Sequence, residues 1–523
     1  MCALALLGMA GAPGCAARRV ARETDLHDPG RLAMAQGLVS RGYYAALQEA
    51  LAIATDVHSR ARAGDKARTA EQLARTALLV ASREREFAMA DSGALAIAEG
   101  ALAECADPAA LQAALTLVRF EPREHRGMAG SDTQGLPDDT RSFRQRFEAS
   151  RVAATVLEGL AADELYAYIL PLWSQSRSRP APAAGDEEPR SEPASQPTSR
   201  LLLYRSATRE GDPRRFEHLL ELEPRFAEAH YFLGARLLDG APRAADLARA
   251  QEHLVAALLA LPGSAAVLMA MGDLRFALAD WESGIESYDR TLVLAPTHRQ
   301  ALLRKAICMS LLSRYEDGLA VLDSLAGLPG GYLPGETHYW IAWNLRRLGR
   351  LSETEAHVAR AKVTLSGESR VYVLAGQIAQ ARDRLDEARS DFNKAVELNG
   401  RECAAHAGLG AIEATRRRWP SASRSYERAA LCQAAAIDEL DGKLKEIRAA
   451  SLPESAKARV VARHLAEREA LLLSRATSAL NAAAGAFNAG DQRRAAELAE
   501  DASHHPLLAE KALALMEKIG PRL

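Results

Sequence analysis

The feature of this sequence that most constrains its fold is an internal period of about 34 residues in the second half of the chain. In each unit a small residue lies about two turns into a helical segment, here called helix A. These helix A marks follow one another at steps of 38, 34, 36, 34 and 34 residues. They are Gly234, Gly272, Ala306, Ala342, Gly376 and Gly410. Such regular spacing is typical of helical pairs that stack in sequence.

A second helix, helix B, carries its own small residue, followed four residues later by an aromatic or large aliphatic residue. From the second unit onwards the small residue lies twelve positions behind the helix A mark. The pairs are Gly284 and Tyr288, Gly318 and Leu322, Thr354 and Val358, Ala388 and Phe392, and Ala422 and Tyr426. Small residues are expected where two helices approach too closely for larger side chains. Pro224, Pro262 and Pro296 end the first units, because proline cannot continue a helix.

With these marks, residues 227–434, about 40% of the chain, resemble the tetratricopeptide repeat (TPR) family. The clearest units are GDLRFALADWESGIESYDRTLVLAP (272–296), GQIAQARDRLDEARSDFNKAVELN (376–399) and GAIEATRRRWPSASRSYERAA (410–430). The resemblance implies an all-α fold, a right-handed α-solenoid of helical hairpins preceded by a separate helical module. It also implies a concave wall, lined by helices A, that binds an extended peptide or a partner's helix.

The resemblance also indicates which side chains face that groove. They are Tyr231, Met269, Asp273, Phe276, Leu303, Tyr339, Trp343, Arg347, Gln377 and Gln380. Aromatic residues and Met concentrate in the middle of the array, and Arg347 is expected beside Trp343, which is the composition of a binding hot spot. In the alternative interpretation Tyr339 and Trp343 belong to the core between repeats, as is expected of Trp340. The family's Lys/Asn pattern that clamps a terminal carboxylate is missing, so recognition of a chaperone tail is not expected.

Composition predicts the other segments. Residues 29–173 are expected to form a helical module. Residues 174–200 contain five prolines and no Leu, Ile, Val or aromatic residue, which is typical of a disordered linker. The array of about six units then occupies residues 201–434. Residues 435–523 continue as helices, with one divergent repeat and a polar cap helix.

Residues 1–15 resemble the leader of a bacterial lipoprotein. An apolar run ends in Gly14-Cys15, similar to the site at which such leaders are removed and the cysteine takes a lipid. Cys15 is therefore predicted to be lipidated, although no Lys or Arg precedes the run and Ala12 stands where the family has a larger aliphatic residue. In the alternative interpretation this segment is the frayed, Ala-rich terminus of a cytoplasmic protein.

The six cysteines are too few for a disulfide-built scaffold. Cys403 begins helix A of the sixth unit and Cys432 ends its helix B, and antiparallel packing brings these two ends together. A disulfide between them is therefore geometrically allowed and is expected only in an exported protein. The alternative is two buried free thiols. Cys105 and Cys308 have no evident partner in the sequence.

The residues that carry chemistry in enzymes do not converge in this sequence. A formal net charge of −2 gives no electrostatic case for nucleic acid or an anionic membrane. The glycines of 327–335 lack the Lys-Ser/Thr of a phosphate loop. His504-His505 are interpreted as a polar turn, the other histidines as isolated residues, and the basic run at 416–419 as a complement to a helix dipole. No catalytic residue, metal or cofactor is predicted.

These observations predict a non-enzymatic scaffold of the bacterial cell envelope that binds a protein or peptide in the groove. It would face the periplasm, touch the membrane only through the lipid on Cys15, and bind no nucleic acid. One alternative is a cytoplasmic adaptor with the same groove and no lipid. A less favoured alternative is an enzyme or a transport-associated solute-binding protein with its pocket in residues 29–173.

Overall fold

The computed structural model describes residues 28–119, 149–157, 165, 168–169, 200–240, 242–328 and 335–520. Throughout this part of the chain the regular elements are α-helices, and it contains no strand. The chain is therefore an all-α solenoid of helical hairpins, as the repeat pattern predicts. The predicted leader with Cys15 and residues 174–199 of the predicted linker lie outside the described residues.

The chain divides into two compact units, the first formed by residues 1–236 and 253–268, the second by residues 237–252 and 269–523. Eight helices with defined ends belong wholly to the first unit. They are α1 (Asp28–Arg41), α2 (Tyr44–Arg60), α3 (Lys66–Glu86), α4 (Ala94–Leu102), α5 (Ala109–Arg119), α6 (Arg200–Glu210), α7 (Pro213–Leu222) and α8 (Ala227–Arg236). The boundary between the units passes within the next two helices, α9 (Ala244–Ala260) and α10 (Ala265–Ala277).

A buried charge network joins α3 to the helices after residue 200. The fully buried guanidinium of Arg83 lies 3.2 Å from the buried carboxylate of Glu228 on α8 and donates to the carbonyl of Gly42. It also lies over the rings of Tyr204, at 4.1 Å, and Tyr168, at 5.0 Å. Because a buried charge is tolerated only when it is paired, this network fixes α6 and α8 against the N-terminal helices. The sequence predicts a module at 29–173 separate from an array that begins at 201, whereas in the structure residues 200–236 share the core of the N-terminal helices.

The second unit contains the remaining repeats and a long C-terminal hairpin. Its helices are α11 (Trp281–Leu294), α12 (Arg299–Leu311), α13 (Tyr315–Ala326), α14 (Gly335–Arg347), α15 (Leu351–Thr364), α16 (Ser369–Ala381), α17 (Leu385–Leu398), α18 (Cys403–Thr415), α19 (Trp419–Ala449), α20 (Glu454–Asn488), α21 (Gln492–Ser503) and α22 (Ala509–Ile519). The sequence analysis ended helix B of the sixth unit at Cys432. In the structure this helix, α19, runs on to Ala449 and pairs with the 35-residue α20.

The small residues of the repeat lie where helices A and B cross closely. A Cβ placed on Gly272 would lie 2.4 Å from the ring of Tyr288. The buried ring of Phe392 is held between two glycines of successive helices A, with hypothetical Cβ distances of 2.7 Å from Gly376 and 2.4 Å from Gly408. The prediction that the marks stand at tight helix crossings is confirmed for Gly272, Gly376 and Gly410.

The turns between helices A and B keep the same register. In the second to sixth repeats, the residue seven positions after the helix A mark has a positive φ, between 55° and 76°. The residues are Ala279, Ser313, Gly349, Asp383 and Arg417. A left-handed residue at this place closes the end of a helix, so one turn geometry is reused even where the residue is not glycine.

A disulfide joins the two ends of the sixth unit. Cys403, the first residue of α18, and Cys432 within α19 have Cα atoms 5.4 Å apart and bonded sulfurs. The antiparallel arrangement that the sequence allowed is present, and the alternative of two free thiols does not describe this pair. Cys105 and Cys308 are free cysteines, and burial raises the pKa of the Cys308 thiol to about 12.

Candidate functional site

Helices A of the third to sixth units form one continuous row. Each of α12, α14 and α16 contacts the next helix A, while helices B of neighbouring repeats approach one another less closely. The row of helices A is therefore the inner side of this stack. We call the surface of these four helices the helix A face.

The predicted groove residues occupy several environments. Tyr231 belongs to the first of the two compact units, where its ring packs against Phe87 with ring centres 5.2 Å apart. Met269 and Tyr339 are buried, and Arg347 is exposed. The other predicted groove side chains are half-buried: Asp273, Phe276, Leu303, Trp343, Gln377 and Gln380. Most of the predicted set therefore remains at least partly accessible.

Three side chains at the junction of the third and fourth repeats form what we call the aromatic–cation cluster: Tyr315, Trp343 and Arg347. The ring centres of Tyr315 and Trp343 lie 5.6 Å apart, edge to face. The Arg347 guanidinium lies 5.3 Å from the Tyr315 ring and 5.7 Å from the Trp343 ring. Its Nε and Nη2 both donate to the Tyr315 hydroxyl, at 3.0 and 2.9 Å. Since this guanidinium is held from two sides, it is fixed in place before any partner arrives.

Charge shapes the surroundings of this cluster. Hydrogen bonds with Ser313 and Arg347, together with the positive charge of Arg347, lower the pKa of Tyr315. Arg370 lies 4.8 Å over the ring of Tyr339, whose pKa is raised by burial. Cations over aromatic rings thus occur on two neighbouring helices A, α14 and α16.

In the second repeat of the array, the Asp273 carboxylate interacts with one side chain of its own hairpin and with one of the next hairpin. The Tyr288 hydroxyl donates to its carboxylate at 2.9 Å, and Arg304 lies 3.6 Å away. Burial raises the pKa of Asp273 in spite of these partners. Arg304 also lies 5.0 Å over the ring of Phe276. Asp273 therefore has structural partners within the array.

A line of buried polar groups runs along α14. The Thr337 hydroxyl, the Trp340 indole N–H and the Asn344 amide have no hydrogen-bond partner among the described residues. These positions are three and four residues apart, so they share one side of the helix. Trp340 is buried, as the sequence predicts, and its ring contacts both Tyr339 and Trp343.

The long hairpin (α19 and α20) returns to the second unit of the array. Arg459 on α20 lies 2.9 Å from the carboxylate of Asp280, and Arg463 lies 3.0 Å from that of Glu282. The Arg463 guanidinium also lies 3.8 Å over the ring of Trp281. We call these three contacts the return contact. The repeat pattern predicts helical pairs that stack in sequence, and the return contact is an exception, because it joins residues about 180 positions apart.

The other residues considered for chemistry lie apart from this face. Among the described residues no metal-binding group of three or more His, Cys, Asp or Glu side chains is present. His505 lies 3.7 Å from Glu469, and Arg416 pairs with Asp386 at 2.6 Å. In the part of the chain that the structure describes, no helix has the length and apolar character needed to cross a bilayer.

Two groups of residues escaped the sequence analysis. Tyr315 is the first residue of a helix B, whereas the repeat pattern assigns groove positions to helices A alone. Arg459 and Arg463 carry no repeat signal, since they lie on a helix that does not follow the period. Pairing of α19 with α20 is signalled only by the unbroken helical sequence on either side of Pro453.

No protein-family model and no curated protein matches this sequence. Several solved structures resemble it. YrrB, described as a TPR protein with an unusual peptide-binding site, has 18% identity and a TM-score of 0.29, over 34% of this chain and 92% of its own. A tetratricopeptide repeat protein from Parabacteroides merdae has 15% identity and a TM-score of 0.35, over 50% and 96%. The Cut9–Hcn1 structure has 11% identity and a TM-score of 0.47, over 91% and 94%.

Proposed function

We propose that this protein is a binding scaffold whose helix A face holds an extended peptide or a helix of a partner protein. The observation that carries the proposal is the aromatic–cation cluster. Trp343 is half-buried and Arg347 exposed, and both lie on the face that the stacked helices A share. Trp, Tyr and Arg are the residue types that dominate binding energy at protein interfaces.

The cluster has the physical properties that an anchor needs. The Trp343 ring still exposes apolar surface that a partner would remove from water, which stabilises the complex. The hydrogen bonds to Tyr315 hold Arg347 in one position, so little side-chain entropy is lost when a partner binds. Gln377 on the next helix A offers an amide that can both donate to and accept from a peptide backbone.

The test compares two truncations in the same repeat. Trp343→Ala removes the centre of the cluster, and Val363→Ala removes an apolar side chain that is 80% exposed on helix B. Each variant is used for affinity purification from the source cells, with circular dichroism as the measure of folding. We expect Trp343→Ala to lose the partners that the wild type and Val363→Ala both retain, with helix content unchanged. Equal retention by all three proteins, or loss of helix content together with binding, contradicts the proposal.

We further propose that the protein is exported to the cell envelope and anchored by a lipid on Cys15. The Cys403–Cys432 disulfide supports export, because such bonds persist in oxidising compartments and are rare in the cytosol. Radiolabelled palmitate should label the wild type and not Cys15→Ser. Thiol alkylation of the protein taken directly from cells should modify Cys105 after denaturation and leave Cys403 blocked. Unlabelled wild type would remove the lipid, and full alkylation of Cys403 would favour the cytoplasmic adaptor.

A further inference from the structure

Two repeats each contain a pair of histidines in direct contact. In the first repeat, Nδ1 of His230 on α8 lies 2.9 Å from Nδ1 of His253 on α9. In the fourth, Nδ1 of His338 on α14 lies 3.0 Å from Nδ1 of His357 on α15. These histidines are isolated residues in the sequence, and the fold brings them together in pairs.

The two pairs occupy the same positions in the repeat. His230 and His338 each precede the helix A mark by four residues, Gly234 in one case and Ala342 in the other. On helix B, His357 follows the small residue Thr354 by three positions. His253 stands in the same relation to the buried Ala250, the corresponding small residue of the first repeat. The pairs are therefore one structural arrangement that occurs twice.

The hydrogen bonding of His230 fixes where its lone pair points. Nε2 of His230 lies 3.2 Å from the carbonyl oxygen of Pro224, to which it can only donate. The neutral ring therefore carries its proton on Nε2 and presents the Nδ1 lone pair to His253. A histidine that binds a metal through one nitrogen usually donates its other N–H to a backbone carbonyl in this way.

We propose that each histidine pair binds a divalent transition-metal ion that takes imidazole ligands in square-planar or octahedral geometry, such as Ni²⁺ or Cu²⁺. Two nitrogens at about 2.0–2.1 Å from one metal lie about 2.9 Å apart when they subtend a right angle. The two observed separations, 2.9 and 3.0 Å, match that arrangement. It is the arrangement of square-planar and octahedral sites, with water filling the other positions.

Around the second pair the charge is mixed. Arg360 opposes a cation, whereas the carboxylates of Asp323 and Glu353 favour one near His357.

The sixth repeat provides a control within the same chain. His406 stands four residues before its mark, Gly410, and its Nε2 lies 3.0 Å from the carbonyl of Gly400, as in the first repeat. The position opposite, three residues after Ala422, is Ser425. This repeat therefore has one half of the arrangement and lacks the other, and Ser425→His should complete it.

The test uses isothermal titration of the full, untagged chain with NiCl₂ at neutral pH. We expect two sites in the wild type, one in His253→Gln or His357→Gln, and none in the double variant. Since loss of a group that merely supports a ligand weakens metal binding about 10–100-fold, loss of a ligand itself should weaken it at least about tenfold. Ser425→His should add a third site. His504→Gln, at the terminal turn, should change nothing.

A second measurement separates ligand loss from misfolding. Ni²⁺ should raise the Tm of the wild type and leave that of the double variant unchanged, because a ligand stabilises only a state that binds it. Wild type that takes up no Ni²⁺ at millimolar concentration would overturn the proposal. So would a double variant that binds two ions as tightly as the wild type, or a folded Ser425→His variant that gains no site.

Discussion

The return contact between the long hairpin and the second repeat of the array makes a quantitative prediction. Replacing Arg459 and Arg463 together by alanine removes both ion pairs and the cation–π contact with Trp281. The hairpin itself should persist, since α19 and α20 pack along most of their length. The variant should therefore release the start of α20 from the repeat without unfolding either.

The size of the effect follows from the exposure of each partner. The Arg463–Trp281 contact is worth about 1 kcal/mol, because the Arg463 side chain is only about a quarter exposed. The Arg463–Glu282 pair adds about 0.5 kcal/mol, since Glu282 is mostly exposed. The Arg459–Asp280 pair adds about 1 kcal/mol, at the upper end for surface pairs, since Asp280 is nearly buried. A total of about 2.5 kcal/mol corresponds to about a 70-fold larger open population.

Hydrogen exchange measured by mass spectrometry tests this prediction. Amides near residue 280 and in the first turns of α20 should exchange about 70-fold faster in the double variant, and those of α16 and α17 should not change. Lys457→Ala is the matched control, because the ion pair of Lys457 is with Glu454 of its own helix. Equal protection in the double variant and the control would refute the reasoning.

Three further predictions concern the repeats themselves. Gly408→Ala should lower the unfolding free energy of the array by about 1–3 kcal/mol, because the added methyl meets the ring of Phe392. Gly442→Ala, with open space around it, should raise the unfolding free energy by up to about 1 kcal/mol. Urea unfolding measures both changes, and two changes of the same sign would contradict the prediction. Asn344→Leu should stabilise by about 1–2 kcal/mol in the same assay, since the buried amide has no partner, and a loss of stability would show that the amide is satisfied in solution. Folding lowers the pKa of His357 and of His338. The stability that these two groups contribute is therefore present above pH about 6.5, the unfolded pKa, and is lost as the pH falls through their lower pKa values in the folded protein. His357→Gln should therefore flatten the fall in unfolding free energy between pH 7.5 and 5.5, and an unchanged slope would contradict this assignment.

The repeat period was sufficient to predict the helical hairpins from the sequence. The spacing of marks such as Gly272 and Gly376 reports a local constraint, the approach of two helices that are close in sequence, and local constraints leave regular traces. The disulfide could be anticipated from the sequence for the same reason, since Cys403 and Cys432 lie at adjacent ends of one hairpin.

Contacts between distant segments leave no such trace. The pairing of Arg83 with Glu228 joins residues from two stretches that composition had separated, and an Arg on a helix looks the same in sequence whether buried or exposed. The histidine pairs lie between these extremes. Their positions relative to the marks could have been compared between repeats, and His230 and His338 would then have coincided.

The binding face was predictable as a surface and less so as a set of contacts. Trp343 and Arg347 follow from the helix A register, but the role of Tyr315 depends on how one repeat docks on the next. That docking is set by side-chain packing across two hairpins, which spacing alone does not encode. The same limit applied to Tyr231, whose neighbour Phe87 lies far away in the chain.

The return contact also bears on the order in which this chain assembles. Neighbouring repeats bring together residues about 34 positions apart, whereas Arg459 must find Asp280 across 179 positions. The difference in chain entropy is about 1.5 kcal/mol, which disfavours the long closure until the intervening hairpins have shortened the distance. During synthesis, therefore, the repeats form first as the chain emerges, and the hairpin closes over finished structure. Under a pulling force the order of these events is reversed. The return contact ruptures first, and the stack of repeats then extends.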